Sequence, residues 1–135
     1  MQTFLPYSDF VEVACCLDYR RLGMQRVEAR QILDILSGKS NAWRNHPAVL
    51  MWWGFESALK IYCNSMIKEW IKRGYKNTMQ LFEVDFIAIM PWWIGDVDFH
   101  NSHKSNLIRK KPEYYQKIWP DISDNLEYIW PVRKV

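Results

Sequence analysis

Five side chains on one stretch of this 135-residue chain, Arg20, Arg21, Arg26, Arg30 and Glu28, bring together anion-gripping and proton-moving chemistry. Each guanidinium can fork onto a phosphate, and a lone carboxylate among them can hold or deliver a proton. Arg21, Gln25 and Glu28 stand at i, i+4 and i+7, so helical spacing lines them into one polar stripe. That combination suits a surface holding a nucleic-acid backbone beside an acid–base group. A solvated helix whose charges pair with one another would read the same way.

Two further groups carry chemistry. Trp43-Arg44-Asn45-His46 sets a ring, a guanidinium, an amide and an imidazole in one loop ahead of Pro47, a residue that suits a helix start. Such a loop can meet an anion or a base edge, or simply cap the helix and anchor a Trp. His100 and His103, at i, i+3, could join His46 around a metal. No carboxylate or thiol constellation accompanies them, and histidines near basic loops also bond phosphate or backbone.

These residues must be positioned by helices. Leu22, Ala29, Leu33 and Leu36 share one face, which predicts a helix from Leu17 to about Leu36, closed by Gly38. Ser8 is the expected N-cap of a shorter helix, Asp9–Leu17. Pro47–Arg73 reads as one long core helix, bent at Gly54 and ended by Gly74. Asn77–Pro91 is expected to be irregular, with a short helical turn. Helices Phe99–Lys110 and Glu113–Trp119 follow, and Tyr128, Ile129 and Trp130 of an extended tail are expected to dock on the core. Strand signals are few, so the predicted fold is all-α: a compact single-domain helical bundle, residues 1–135, with a long central helix and an N-terminal arm.

The composition agrees with a packed domain. Hydrophobic residues make up 49% and aromatics 16%, with eight Trp, which excludes disorder. The core is expected to take most of the Trp side chains, although exposed rings can stack on bases. Net charge is only +3, but it is segregated: Lys104, Arg109, Lys110, Lys111 and Lys117 face one acid, Glu113, across residues 104–117. Lys68, Lys72, Arg73 and Lys76 form a second basic run, and acids gather in Glu83–Asp98 and Asp121–Glu127. Cys15, Cys16 and Cys63 lack metal or redox spacing and are expected to be buried free thiols. No signal peptide and no apolar run of roughly 20 residues is present, so a soluble cytoplasmic protein with access to DNA is expected.

The segments Met1–Tyr7, Leu17–Gly23, Gln25–Glu28, Trp43–Val49, Met51-Trp52, Arg73–Tyr75 and Phe99–Leu107 together resemble a bacterial and viral family, the pyrimidine-dimer DNA glycosylases of the phage endonuclease V type. The resemblance to the well-studied phage enzymes is more distant. It rests on Tyr19, Arg20, Leu22 and Arg26, on the Lys72-Arg73-Gly74 helix end, and on His100, Ser102, Arg109, Tyr114 and Tyr115. It implies an all-α fold whose arm reaches between helices. It also implies that the amine at the chain start attacks the sugar C1′ of a damaged nucleotide, forming a Schiff base that can pass to β-elimination. An α-amine, with an ordinary pKa of about 7.7–8, has a useful neutral fraction near pH 7.

Carried over residue by residue, Arg20 and Arg26 match the family's phosphate-gripping arginines. The family's glutamate directly follows the first of them, where this chain has Arg21. Glu28 is the acid on this helix placed to substitute. The nucleophile is then the amine of Met1, or of Gln2 if Met1 is trimmed. The expected catalytic set is Met1, Gln2 and Glu28. The expected DNA contacts are Arg20, Arg21, Arg26, Arg44, Asn45, His46, His100, His103, Lys104 and Arg109. No metal and no cofactor is expected, and the expected partner is double-stranded DNA carrying a damaged or modified base, bound by a monomer. Two alternatives stay open: a non-catalytic nucleic-acid-binding module on the same fold, and a metal enzyme built on the three histidines.

Overall fold

The computed structural model describes residues 1–84 and 87–132. Among these are six helices and no strand: α1 (Phe10–Cys16), α2 (Tyr19–Leu36), α3 (Pro47–Leu50), α4 (Glu56–Lys72), α5 (Val97–Lys110) and α6 (Pro112–Tyr115). The all-α expectation holds. The core helices are α2 and α4, packed along each other, with α1 also on α4 and α5 on α6. Each large apolar side chain buried between them contributes about 1.5–3 kcal/mol.

Local chemistry sets the element ends. The N-cap of α1 is Asp9 rather than Ser8: its Oδ1 accepts the N–H groups of Val11 (2.8 Å) and Glu12 (3.2 Å). Leu17 and Asp18 are extended, so the chain turns a corner between α1 and α2. Tyr115 ties that corner: its hydroxyl accepts the Asp18 N–H at 3.0 Å and donates to Asp18 Oδ1. Gly38, with φ +85°, follows the end of α2 as expected. Gly23, inside α2, answers to packing instead, because a Cβ there would lie 2.9 Å from the Trp70 ring.

The long helix expected over Pro47–Arg73 is divided. It stops after one turn, Trp52 and Phe55 close tight turns, and Gly54 at φ +84° redirects the chain into α4. Such a φ is open to glycine at little cost, and the redirection buries Trp52 completely. The next helix starts at Val97, capped by Asp96, two residues earlier than expected, and the last shortens to four residues. The described part of Asn77–Pro91 is irregular and holds no helix; Asp85 and Phe86 lie outside the described residues.

Two composition-based expectations change. Only Trp52, Trp93 and Trp119 are buried, while Trp43 and Trp53 are 64% and 71% exposed. Cys63 is buried, but Cys16 is half-buried and Cys15 exposed, because Val13 and Ala14 take the inward face of α1. In the tail Tyr128 docks against His103 (ring centroids 4.5 Å); Trp130 meets His46 (5.6 Å) but is left exposed, as Ile129 is. No helix among the described residues is long and apolar enough to cross a membrane.

The arm explains how α2, α4 and α5 hold together. Residues 3–6 are buried between them. Trp52 Nε1 donates to Thr3 Oγ1 (3.0 Å), Tyr62 Oη to the Phe4 carbonyl (2.7 Å), and two histidines of α5 hold Leu5 from both sides. Each of these polar groups of the arm would be costly to bury unpaired.

Candidate active site at the chain start

Helix α2 places Gln25 and Glu28 on its inner side, three residues apart, beneath the arm. Gln25 is 1% exposed and sits in the apolar row between Leu22 and Ala29. Its Oε1 accepts the Phe4 N–H (2.9 Å) and lies 2.6 Å from the Tyr62 hydroxyl, while its Nε2 donates to the Gln2 carbonyl (3.1 Å) and to Glu28 Oε2 (3.0 Å). Glu28, half-buried, also accepts the Gln2 N–H at 3.4 Å. From α5, Asn106 Nδ2 donates to Gln2 Oε1 (3.2 Å), so both the backbone and the side chain of Gln2 are tethered. Covalent geometry keeps the Met1 nitrogen within roughly 3.7 Å of the Gln2 nitrogen. The start of the chain and the carboxylate are therefore neighbours.

Electrostatics locate the same groups. Burial lowers the His46 pKa, and the positive charge of the α-amine lowers it further. Burial raises the Tyr128 pKa, and the Glu28 charge adds to the rise. Tyr62, fully enclosed, is pushed well up by burial first and then by Tyr128, Cys16 and Glu28 among its neighbours. Beside the amine opens a cavity of about 270 Å³ lined by Met1, Gln31, Asp34, Ile35 and Trp43 among others. Trp43 is the one non-glycine residue at positive φ (62°) among those described, a conformation kept where surroundings enforce it. Its ring meets His46 edge-on at 5.8 Å, and the aromatic row continues through Trp130 and Tyr128.

The thiols offer no competing nucleophile. Burial pushes Cys16 up to about 12 and Cys63 to about 11, and burial together with Glu69 raises Cys15, which keeps all three as thiols near neutral pH.

The expected DNA contacts separate into two sets. Arg20, Arg44 and Asn45 are exposed. Lys104 is half-buried, its ammonium over the rings of Tyr7 (5.2 Å) and Trp119 (5.9 Å). The rest are engaged by other protein groups, Arg109 while remaining exposed. Arg21 pairs with Asp18 at 3.2 Å. Arg26 stacks over Trp70 (4.3 Å) and donates to Asn77 Oδ1 (2.7 Å). Arg109 holds the tail through the carbonyls of Asp124 (2.7 Å) and Leu126 (2.9 Å).

The histidines turn inward as well. His46 Nδ1 accepts the Ala48 N–H at 3.0 Å and caps α3. His100 Nδ1 donates to the Leu5 carbonyl (2.7 Å) while its Nε2 accepts the Gly95 N–H (2.9 Å). His103, with no exposed surface, accepts the Leu5 N–H on Nδ1 at 2.9 Å. The expectation that His100 and His103 meet DNA does not fit this burial. Nor does the three-histidine metal alternative, whose ring nitrogens are largely spent on backbone; among the described residues no three His, Cys, Asp or Glu side chains cluster to hold a metal.

The groups that reading the sequence did not single out are Tyr62, Asn106 and Tyr128, each brought in from a different element. Gln25 left a signal: a polar residue in the middle of the apolar row of α2.

The fold is an all-helical domain whose N-terminal arm is held against a half-buried carboxylate on the arginine-bearing core helix α2. The family model described as pyrimidine dimer DNA glycosylase matches residues 1–83 of the 135, and the chain belongs to that family. Membership gives it, in general terms, a repair function of the pyrimidine-dimer DNA glycosylase type. No curated protein and no solved structure matches the chain. The matched residues contain the arm and α1 to α4, with Gln25 and Glu28; α5, α6 and the tail lie beyond them.

Proposed function

We propose that residues 1–135 act as one glycosylase domain that excises a damaged or modified pyrimidine from double-stranded DNA through an amine at the chain start, assisted by Glu28. The observation that carries this reading is the Gln2 N–H on Glu28 Oε2 at 3.4 Å, which sets the first residues against the carboxylate. The neutral Met1 amine, or that of Gln2 after trimming, attacks C1′, and the C1′–N bond breaks with its electron pair going to the base, which takes a proton from water and leaves. The amine loses its proton as the sugar ring opens, and a Schiff base joins protein and sugar. Glu28 as the acid protonates the departing ring oxygen, and as the carboxylate takes a C2′ proton in the β-elimination that nicks the strand. Arg20, Arg44 and Asn45, being exposed, supply backbone contacts.

Borohydride reduction of the protein on lesion-bearing duplexes tests the reading. A covalent protein–DNA adduct is the expected result, and neither adduct nor released base on any of a panel of modified duplexes would defeat it. Residues appended ahead of Met1 should abolish trapping while leaving the melting temperature in place.

Arg21 favours a second reading. It occupies the position where the resemblance expects a glutamate, and it is engaged with Asp18. A DNA-binding module without chemistry would then show salt-sensitive binding and no product.

A further inference from the structure

We infer that Gln25 is a positioning residue for Glu28: its Nε2 holds one carboxylate oxygen, and leaves the other for the reacting nucleotide. The inference rests on the proposed role of Glu28 and names the residue that sets it.

A primary amide buried in a helix interface is costly unless its donors and acceptors are paired. At Gln25 they are. Two partners sit at Oε1, Phe4 N–H and the Tyr62 hydroxyl, and two at Nε2, the Gln2 carbonyl and Glu28 Oε2. The amide's two hydrogens go to the two acceptors at Nε2, while Oε1 accepts the Phe4 N–H and competes with the Phe4 carbonyl for the single Tyr62 proton. The arrangement has one orientation. Reversed, the amide would set N–H against the Phe4 N–H and its oxygen against the Gln2 carbonyl and the carboxylate.

The consequence falls on Glu28. Its Oε2 accepts from Gln25 at 3.0 Å and from Gln2 at 3.4 Å, and among the described residues none of its hydrogen bonds uses Oε1. The same amide holds Gln2 and Phe4, so one side chain sets the separation between the chain start and the acid. Other titratable groups around Glu28 are the α-amine of the arm, Tyr62 of α4 and Tyr128 of the tail, with His46 beside the amine.

The test is a double-mutant cycle of Gln25→Met and Glu28→Gln, assayed on the duplex that the parent protein cleaves. Gln25→Met should lower kcat roughly 10- to 100-fold, the worth of one hydrogen bond to a charged group, with KM within about twofold. In the Glu28→Gln background it should add no further loss. An equal loss in both backgrounds, or a change in KM alone, would overturn the inference. A measurement without substrate stands beside it. The Gln25 side-chain amide proton that faces Glu28 should resonate downfield in the parent protein and move upfield in Glu28→Gln. Identical behaviour in the two proteins would overturn the inference even if Gln25→Met fails to fold. A parent protein that traps no DNA defeats the proposed chemistry, whereas the amide resonances report on Gln25 either way.

Discussion

At Leu5 the arm is held by two imidazoles of α5, whereas at Gln2 and Phe4 it is held by an amide and a carboxylate of α2. The two grips fall within four consecutive residues, Gln2 to Leu5, and do different work. The imidazole grip is sealed: His103 has no exposed surface, and burial, helped by the neighbouring His100, pushes its pKa down to about 3. A neutral ring can accept the Leu5 N–H; a charged one cannot. The α2 grip stays partly open, with Glu28 half-buried and a cavity beside Met1. Full burial makes a titratable group into a fastener, and half-burial beside an opening leaves it able to exchange protons with a ligand.

The comparison is broken most sharply by Glu28→Gln. Base release should fall by roughly 10²–10⁴-fold, the worth of a general acid–base group, while duplex affinity and melting temperature stay near the parent values. Single-turnover base release and a thermal melt on the same preparation check it.

His103→Leu should do the reverse, leaving the Leu5 N–H buried without its acceptor and costing about 1–3 kcal/mol in chemical denaturation. The same residue makes stability depend on pH. The unfolded chain protonates this histidine near 6.5, but the folded one resists until about 3. Its contribution is therefore fully present above pH 6.5 and lost as pH falls through that window, at up to about 1.4 kcal/mol per pH unit. Urea midpoints from pH 7 to pH 4 should show the decline, and His103→Leu should flatten it. Equal slopes in the two proteins would contradict the sealed grip.

Two arginines repeat the contrast at smaller scale. Arg26→Ala should lose about 1 kcal/mol of stability, because its guanidinium is stacked on Trp70. Exposed Arg44, on removal, should leave the melt unmoved and lower the salt slope of DNA binding by about one.

The helices were legible along the chain wherever apolar residues recur with a 3.6-residue period, as Leu22, Ala29 and Leu33 do. Their ends were less so: Gly54 can bend a helix or end it, and only the burial of Trp52 settles which. Among the candidate site residues, Glu28 stood out as the lone acid amid arginines. The histidines misled, since i, i+3 spacing fixes that His100 and His103 share a side of α5 but not whether that side meets water or the arm.

What the amino-acid order determined by itself is periodicity, caps and charge: an all-helical chain, a basic α2 with one acid, Glu28, amid its arginines, and an apolar arm. What only the tertiary structure decided is which polar groups face each other across elements. Gln25 meets Phe4 across 21 residues, and His103 meets Leu5 across 98. Local propensity acts within a few residues, whereas a buried donor takes whichever acceptor the packing delivers, however distant in the chain.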